Sequence, residues 1–451
     1  MTKNSHGLLD SGHTLVTDMG EQVTVDSLLG SGGQGEVYRV RTPNGSSAVK
    51  WYFPQHATES QHDILVSLVD REWQDDRFLW PQRLVRDPAS LTQGFGYLMD
   101  LRQPRFHDLP ELFRREIRTK YRALVTAALH TVEAYRELHQ HGIVYRDISW
   151  GNIFFDPANG DVLVCDNDNA VAKGTRAGIA GTPQFMAPEL VRGGSDADPS
   201  IETDLHALAV LLFFMLTNHH PLEGAAALRI HCMDENAMRQ LHGTRPVFIF
   251  DPDDTSNAPV QGEHNTVLAT WAALPKSLKA LFTRTFTEGL RNPGARVREG
   301  EWQSALSRVR DELLLCGSCG KQNLTEPGAA SPGSCWSCGK DLVAPARLTV
   351  KVNIARVPTV HTLRLGAEAE LYEHHLRDHV DRHTFHNPVG VVTAHPSQPG
   401  TWGLTNRSPR TWTVRNAMGK EHQVPPQRTA AIKPGASIDF GSGAQGSITP
   451  E

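Results

Sequence analysis

Residues 145–155, YRDISWGNIFF, place an aspartate and an asparagine five positions apart. The Asp147-x-x-x-x-Asn152 spacing lets one loop present a carboxylate to a substrate hydroxyl and an amide to a metal ion held by phosphates. Fourteen residues after Asn152, the apolar run 162–165 ends at Asp166, where we expect the main Mg²⁺ ligand. An Asp and an Asn this close could instead cap a turn. The elements described next favour phosphate chemistry.

A glycine-rich run, LGSGGQGEVY at residues 29–38, fits the pattern G-x-G-x-x-G-x-V. Glycines let backbone amides approach phosphate oxygens that any Cβ would push away. A dinucleotide fold would need a helix after the glycines, whereas residues 37–40 continue as a strand and the alternation reaches residues 47–50. This predicts a hairpin with Lys50 on its second strand, pairing with nucleotide phosphates. The alternative is a surface glycine turn and an ordinary strand lysine.

Residues 26–312 resemble a eukaryotic-like serine/threonine protein kinase in several motifs that keep the family's order. Residues 181–189, GTPQFMAPE, are similar to the end of its activation segment. Asp204 opens an apolar helix, as does the family's buried aspartate that anchors the catalytic loop. Arg296, in NPGAR, matches the arginine that pairs with the glutamate at Glu189, and Met99 falls at the gatekeeper position.

The resemblance implies an α+β, two-lobed fold with an N-terminal lobe at 26–100 and a C-terminal lobe at 103–312, after an N-terminal segment 1–25. It implies ATP and Mg²⁺ as cofactors and a Ser or Thr hydroxyl of a protein substrate as acceptor. Lys50 would position the phosphates, Asp147 would orient the hydroxyl, and Asn152 with Asp166 would hold the metal ions. The further nucleotide contacts implied are Gly30, Gly32, Gly33, Gly35, Val37, Ala48, Met99, Asp100 and Leu101.

Some positions depart from the family pattern. Ser149 stands where a lysine usually touches the γ-phosphate, and removing that cation should slow transfer. Residues 167–169, Asn-Asp-Asn, replace the Phe-Gly of the magnesium loop, so that Asp168 is either an additional metal ligand or a solvated turn residue. The glutamate that should hold Lys50 is either Glu59 or Glu72. These departures keep a second function class open, a pseudokinase or nucleotide-binding scaffold; a small-molecule phosphotransferase would lack the APE segment.

The segments FLWP, GYLMDLR, DISWGN and CDNDN are similar to a divergent bacterial kinase subfamily. That narrower resemblance implies a metal-dependent phosphatase and a von Willebrand A-type protein as partners. Regulation is predicted around Arg146, which either gathers a phosphate on Thr175, with Arg176 assisting, or bonds to backbone carbonyls or Asp168 without phosphorylation. Thr182, in the Gly-Thr-Pro motif, is expected to support the catalytic aspartate instead.

Four of the six cysteines follow the kinase-like region as C-x2-C-x15-C-x2-C: Cys316, Cys319, Cys335 and Cys338. This is the spacing of a closed four-thiolate zinc site, with Gly320 and Gly339 permitting a tight turn after each pair. A redox pair is the rival interpretation. We therefore predict a structural zinc ribbon at residues 313–345.

Residues 346–451 alternate in short runs separated by Pro, Gly and Asn, which predicts an all-β domain. It vaguely resembles a forkhead-associated-type sandwich; Arg407 and Ser408 would then contact phosphate, although a solvated turn is the preferred interpretation. Histidines 374, 375, 379 and 383 are expected to be exposed rather than metal ligands. The net charge of -5 over 451 residues favours neither nucleic acid nor an anionic membrane, and without a signal or anchor pattern we expect a cytoplasmic protein.

Overall fold

The computed structural model describes residues 7–89, 94–175, 181–193, 198–352, 359–377, 380–398, 400–441 and 443–451. Within these ranges no helix combines the length and apolarity needed to cross a lipid bilayer.

The N-terminal lobe is a closed antiparallel sheet of six strands in the order β1-β2-β3-β4-β6-β5. Its elements are β1 (Thr14–Thr17), β2 (Gln22–Ser31), β3 (Gly35–Thr42), β4 (Gly45–Tyr52), α1 (Glu59–Val69), β5 (Arg83–Arg86) and β6 (Phe95–Met99). Thr58 caps α1 by accepting a hydrogen bond from the Gln61 amide, as N-terminal threonines commonly do. Because β1 pairs with both β2 and β5, the lobe begins before the predicted boundary at residue 26, inside the segment expected to precede it.

The C-terminal lobe is mainly helical and surrounds one buried helix, α5. Its helices are α2 (Leu109–Phe113), α3 (Tyr121–Gln140), α4 (Pro188–Arg192), α5 (Ile201–Thr217), α6 (Ala225–Leu228), α7 (Glu235–Met238), α8 (Asn265–Ala273), α9 (Lys276–Phe286), α10 (Glu288–Arg291) and α11 (Glu299–Asp311). Apolar side chains all round α5 force it into the core. A capping box between Ser200 and Thr203 fixes where it begins, and so places Asp204 in its first turn.

Short strands at the boundary between the lobes flank the loops that contain Asp147 and Asp166. They are β7 (His107–Asp108), β8 (Ile143–Val144), β9 (Ile153–Phe155), β10 (Val162–Val164) and β11 (Val171–Ala172). β9 pairs with β10 and β8 pairs with β11. These two pairings bring the loop after β8 next to the loop after β10, which places Asp147 and Asp166 in one region of the molecule.

A small module of two paired strands, β12 (Leu314–Leu315) and β13 (Gln322–Asn323), follows α11. The rest of the chain forms β14 (Arg347–Val352), β15 (Thr359–Arg364), β16 (Glu370–Leu371), β17 (Gly390–Ala394), β18 (Trp402–Asn406), β19 (Trp412–Arg415), β20 (Glu421–Val424), β21 (Thr429–Ala431), β22 (Ser437–Asp439) and β23 (Ala444–Thr449). They make a six-stranded sheet, β15-β14-β23-β22-β19-β20, and a four-stranded sheet, β16-β17-β18-β21, over a common apolar core. The predicted all-β domain is therefore a two-sheet sandwich.

The sandwich packs directly on the C-terminal lobe through buried polar contacts. The guanidinium of Arg364 lies 3.2 Å from the carboxylate of Glu312, and both side chains are almost fully buried. His383 bonds through Nδ1 to the buried carboxylate of Glu133 on α3. Buried ions are tolerated only when they are paired, so these contacts hold the two domains in one arrangement.

Candidate active site

The loop after β8 is anchored by the buried carboxylate of Asp204. The amides of Tyr145 and Arg146 donate to its two oxygens at 2.6 and 3.0 Å. Nε2 of His139 lies 3.1 Å from the same carboxylate, and Nδ1 of His139 bonds to Glu299. Burial alone would lower the pKa of His139, but these two carboxylates raise it to about 9. The predicted anchoring role of Asp204 is confirmed.

Asp147 is oriented by three hydrogen bonds. Its Oδ1 accepts from the backbone amide of Thr182 at 2.8 Å and from the Thr182 hydroxyl at 3.0 Å. Its Oδ2 accepts from Nδ2 of Asn152 at 3.0 Å. The carboxylate is half-buried, so it stays accessible while its direction is set. The structure thus brings Asp147 and Asn152 together as the spacing predicted, and Thr182 supports the aspartate as expected.

Asp166 and Lys50 face each other across the cleft between the lobes. The Lys50 ammonium, 5 % exposed, lies 3.4 Å from Oδ1 of Asp166, whose side chain is 43 % exposed. The backbone of Asp166 is left-handed, with φ 52° and ψ 42°, which turns the chain sharply at the end of β10. Desolvation in the cleft, reinforced by Asp168 and Asp147 and opposed by Lys50, raises the pKa of Asp166. A carboxylate in this setting is suited to binding a cation.

Asp168 is the main partner of Lys50. Its two oxygens lie 3.0 and 2.9 Å from Nζ, and its side chain is fully buried. The Tyr52 hydroxyl donates to Oδ2, and the Tyr97 hydroxyl lies 3.3 Å from Oδ1. Burial and the Asp168 charge raise the pKa of both tyrosines well above the usual range, which keeps their hydroxyls protonated as donors. For Lys50, burial lowers the pKa, but Asp168 and Asp166 outweigh it, and the ammonium form is favoured.

The glycine-rich hairpin between β2 and β3 closes over this group. The amide of Gly32 donates to the Gly35 carbonyl at 2.9 Å. A Cβ at Gly35 would stand 2.2 Å from the Trp51 carbonyl oxygen, so a side chain there cannot be accommodated. Gln34 reaches inward: its Oε1 accepts from Lys50 at 3.2 Å and its Nε2 donates to Oδ1 of Asn169 at 3.2 Å. Gly30, Gly32 and Gly33 remain exposed at the rim.

The hinge side of the cleft is apolar. Ala48 on β4 pairs in register with Met99 on β6, and both are buried. Val37 and Leu101 pack against the same cluster, which Leu163 of β10 extends from the other lobe. Asp100, the next residue along the hinge, is exposed. Val37, Ala48, Met99 and Leu101, four of the residues predicted to contact a nucleotide, therefore belong to one apolar cluster.

A family model for the protein kinase domain matches residues 23–284, which is more than half of the chain. The chain belongs to the protein kinase family. It is similar to serine/threonine-protein kinase PkaB of Streptomyces coelicolor, at 30 % identity over 47 % of this chain and 53 % of the relative. The DNA damage-responsive kinase RqkA of Deinococcus radiodurans is 32 % identical over 44 % of this chain and 30 % of its own length. Kinase pkn3 of Myxococcus xanthus is 25 % identical over 45 % and 39 %, respectively. The match spans about half or less of each of these relatives.

This protein kinase domain holds Lys50 with partners that were not predicted from the sequence. Neither Glu59 nor Glu72 is an ion-pair partner of Lys50 in the described part of the chain, and both are exposed. From α1, Gln61 contributes instead, donating to the backbone carbonyl of Asp168 at 2.9 Å. Asp168 is therefore not the solvated turn residue that was one of the two interpretations. The sequence did contain one indication of a polar group around the lysine. Tyr52 stands two residues after Lys50, so the two side chains lie on the same face of the strand.

The activation segment of this kinase domain is fixed at its end by an ion pair in which Arg296 is fully buried and Glu189 is partly exposed. Arg296 donates from NH1 and NH2 to the two oxygens of Glu189, each at 2.8 Å, as the resemblance implied. Arg146 is buried and its Nε donates to the Asn169 carbonyl at 2.6 Å. Of the partners predicted for Arg146, the structure therefore shows a backbone carbonyl. Thr175 is exposed, and Arg176, proposed to assist it, lies outside the described residues.

The four cysteines after the kinase domain form one cluster. All four Sγ atoms lie within 4.8 Å of one another, with 3.7 Å between Cys316 and Cys338 and 3.6 Å between Cys319 and Cys335. Each pair is followed by a glycine at positive φ, 69° at Gly320 and 70° at Gly339. These are two equivalent knuckles, and the glycines have the predicted function.

Two predictions about the sandwich need correction. Ser408 is buried, because its hydroxyl accepts from the Trp412 indole at 3.1 Å and donates to Asn406 at 2.8 Å. It braces a turn and is neither solvated nor available to a phosphate, whereas Arg407 is exposed and bonds to Gln427. The histidines 374, 375 and 383 are buried and not exposed; residue 379 lies outside the described ranges.

Proposed function

We propose that this protein transfers the γ-phosphoryl group of ATP to Ser or Thr hydroxyls of protein substrates, in bacterial signalling. The observation that carries the proposal is the arrangement of Asp147, held by Thr182 and Asn152, beside Asp166 and Lys50. The relatives named above, each a serine/threonine-protein kinase by name, support it.

The residues of the cleft fit a magnesium-bound nucleotide. Carboxylate and amide oxygens are the ligands that Mg²⁺ prefers. Asp166 offers a partly exposed carboxylate. The amide nitrogen of Asn152 donates to Asp147, which leaves its amide oxygen as an acceptor. When bound, Mg²⁺ neutralises charge on the transferred phosphoryl group. Lys50 would bind the phosphates, and Asp147 would orient the acceptor hydroxyl and take its proton.

A transfer assay tests the proposal. With radiolabelled ATP and generic protein substrates, we expect transfer by the full chain, and loss of nearly all of it in Asp147→Asn and Asp166→Ala. The matched control is Asp63→Asn, since that carboxylate is 77 % exposed on α1. If Asp166→Ala kept full activity while the chain required Mg²⁺, the assignment of the metal ligand would be wrong.

A second candidate, a nucleotide-binding pseudokinase, is favoured by Ser149 and by Gln34. Ser149 is a buried, uncharged side chain where a lysine would help transfer. Gln34 bonds to Lys50 and Asn169 and so competes with phosphates for the ammonium. ATP binding measured by calorimetry without any transfer would favour this candidate, and transfer at rates typical of kinases would exclude it.

For the cysteine cluster we propose a closed structural zinc site. Four thiolates at about 2.3 Å from a tetrahedral ion are about 3.8 Å apart, close to the separations of the paired Sγ atoms. No side chain other than the four cysteines is needed. Metal analysis of the purified chain should find zinc, and four disulfide-bonded thiols without metal would contradict the proposal.

For the sandwich we propose a forkhead-associated-like architecture, supported by the pairing of a six-stranded with a four-stranded sheet. Binding of phosphothreonine through Ser408 is not part of this proposal, since its hydroxyl is committed internally. The subfamily resemblance also leads us to propose a metal-dependent phosphatase and a von Willebrand A-type protein as partners. Dephosphorylation of the autophosphorylated chain by such a phosphatase, and binding to such a protein, are the direct tests.

A further inference from the structure

A cavity of about 460 Å³ lies between α11 of the kinase domain and the sandwich. Its lining is unusually rich in histidine: His361, His374 and His383 from the sandwich face Ser307 and Asp311 on α11. None of these residues belongs to the phosphate-handling cleft. The cavity is therefore a feature that the kinase reaction leaves unexplained.

His374 is the decisive residue. Its side chain is 5 % exposed, and neither ring nitrogen has a hydrogen-bond partner among the described residues. Buried polar atoms are nearly always paired, and an orphan calls for a bound group that supplies the partner. Desolvation, together with neighbouring His375 and His383, lowers the pKa of His374 well below its usual range. The ring is thus neutral and carries a free lone pair, which is the form that binds metal ions.

A carboxylate lies beside this ring and is already oriented. Ligand atoms of Asp311, His374 and His375 all lie within 4.8 Å of one another. His375 accepts the Tyr372 amide at Nδ1, 2.9 Å away, so its Nε2 carries the proton that it donates to Oδ1 of Asp311 at 3.0 Å. A histidine that holds a carboxylate in this way fixes the direction of the ligand without being one.

A further histidine, His361, lies outside this group of ligand atoms. It lines the same cavity, and its Nε2 is buried without a hydrogen-bond partner in the described part of the chain. Its ring centroid is 5.6 Å from that of His375. Desolvation is the main cause of the lowered pKa of His361, and the neighbouring His375 is the second cause. The His361 ring is therefore also a neutral imidazole. The donors that lie together are the His374 imidazole and the Asp311 carboxylate, and nitrogen and oxygen donors of this kind suit zinc and similar transition metals.

We propose that this cavity binds one divalent transition-metal ion, with Zn²⁺ as the representative, between His374 and Asp311, while His375 orients Asp311 and water completes the coordination. The donors come from both sides of the interface, because Asp311 ends α11 and His374 belongs to the sandwich. A bound ion ties the sandwich to the kinase domain. The site is separate from the cysteine cluster and is independent of whether the kinase is active.

The test compares metal content and thermal unfolding of the full chain. His374→Phe keeps a ring against Tyr372 but removes both nitrogens, and Asp311→Asn removes the charge. After loading with Zn²⁺ and desalting, each variant should hold one equivalent fewer than the wild type. Zn²⁺ should raise the unfolding temperature of the wild type by more than that of His374→Phe, which keeps only the cysteine site. His422→Phe, an exposed histidine on β20, is the matched control and should behave as the wild type.

The cysteine cluster provides the internal reference. A Cys338→Ser variant should lose the ion at the cysteines and retain the one in the cavity. His374→Phe removes two unpaired buried nitrogens, so the metal-free variant should be at least as stable as the wild type, which separates loss of binding from loss of folding. Equal metal content in the wild type and His374→Phe, or an equal response of the two to Zn²⁺, would show that the cavity holds only water and would overturn the proposal.

Discussion

Replacing Asp168 by asparagine removes the carboxylate that lies closest to the Lys50 ammonium while preserving the shape of the side chain. The wild-type contacts are 2.9 and 3.0 Å, in a setting where Asp168 is fully buried and Lys50 is 5 % exposed. An asparagine oxygen can still accept from one of the two tyrosine hydroxyls. The change therefore tests the charge of Asp168 rather than the packing around it.

Breaking a buried ion pair from one side usually costs about 3–5 kcal/mol, because the other charge is left without compensation. Here Asp166 remains 3.4 Å from the ammonium, although its exposure to solvent weakens the attraction. We therefore expect the free energy of unfolding of the kinase domain to fall by about 2–3 kcal/mol, slightly below that range. Without its main partner the Lys50 ammonium is held less precisely at the phosphate site, and we expect transfer to slow by a factor of roughly 100.

Urea unfolding followed by tryptophan fluorescence measures the stability, and initial rates with radiolabelled ATP measure the transfer. The control is Glu59→Gln on α1, the change that would matter if a helix glutamate held the lysine. Because Glu59 is exposed, this variant should alter stability by no more than about 0.5 kcal/mol and leave the rate unchanged. If Glu59→Gln slowed transfer and Asp168→Asn did not, the lysine would pair with the helix in the working enzyme and our reasoning would be refuted.

Three further predictions concern other parts of the molecule. Since the pKa of His139 is about 9 in the folded protein and 6.5 as its ordinary value, its protonated ring stabilises the fold fully below pH 6.5, and we expect this contribution, about 3 kcal/mol, to be lost as the pH rises through 9. Urea unfolding at a series of pH values should show this decline in the wild type and a flatter profile in His139→Gln. Cys335→Ser should lower the zinc content by one equivalent in elemental analysis, with transfer activity retained because no residue of the cleft lies in that module. Thr175→Ala should keep the wild-type transfer rate, since Arg146 already bonds to the Asn169 carbonyl; phosphorylated Thr175 in active protein, together with a slower variant, would restore the regulatory interpretation.

Local spacing made much of the active site predictable. The loop that carries Asp147 and Asn152 is short, so the two side chains must meet wherever the loop is placed. The two cysteine knuckles are likewise local turns with a glycine at the required positive φ. The pairs Asp204 with the loop amides and Glu189 with Arg296 span long stretches of chain, and they were predicted only because the order of motifs resembled a family whose fold brings them together.

The partner of Lys50 and the burial of the histidines could not be predicted from local spacing or from the order of motifs. Whether a carboxylate reaches Lys50 from α1 or from the end of β10 depends on how the two lobes pack, and Glu59, Glu72 and Asp168 are equally acidic in the sequence. A histidine-rich stretch is polar, which predicts that its side chains are exposed to solvent. His374 and His375 are nevertheless buried, because the sandwich packs on α11.

The sequence by itself determined which chemistry could be predicted for this chain, since residue types at fixed short spacings indicated a phosphate loop, a metal-binding loop and a four-thiolate cluster. Only the tertiary structure decided which charges meet across the cleft and which surfaces close over one another. The physical reason is that burial and ion pairing between distant segments depend on packing, and packing is a property of the whole chain rather than of any short segment of it.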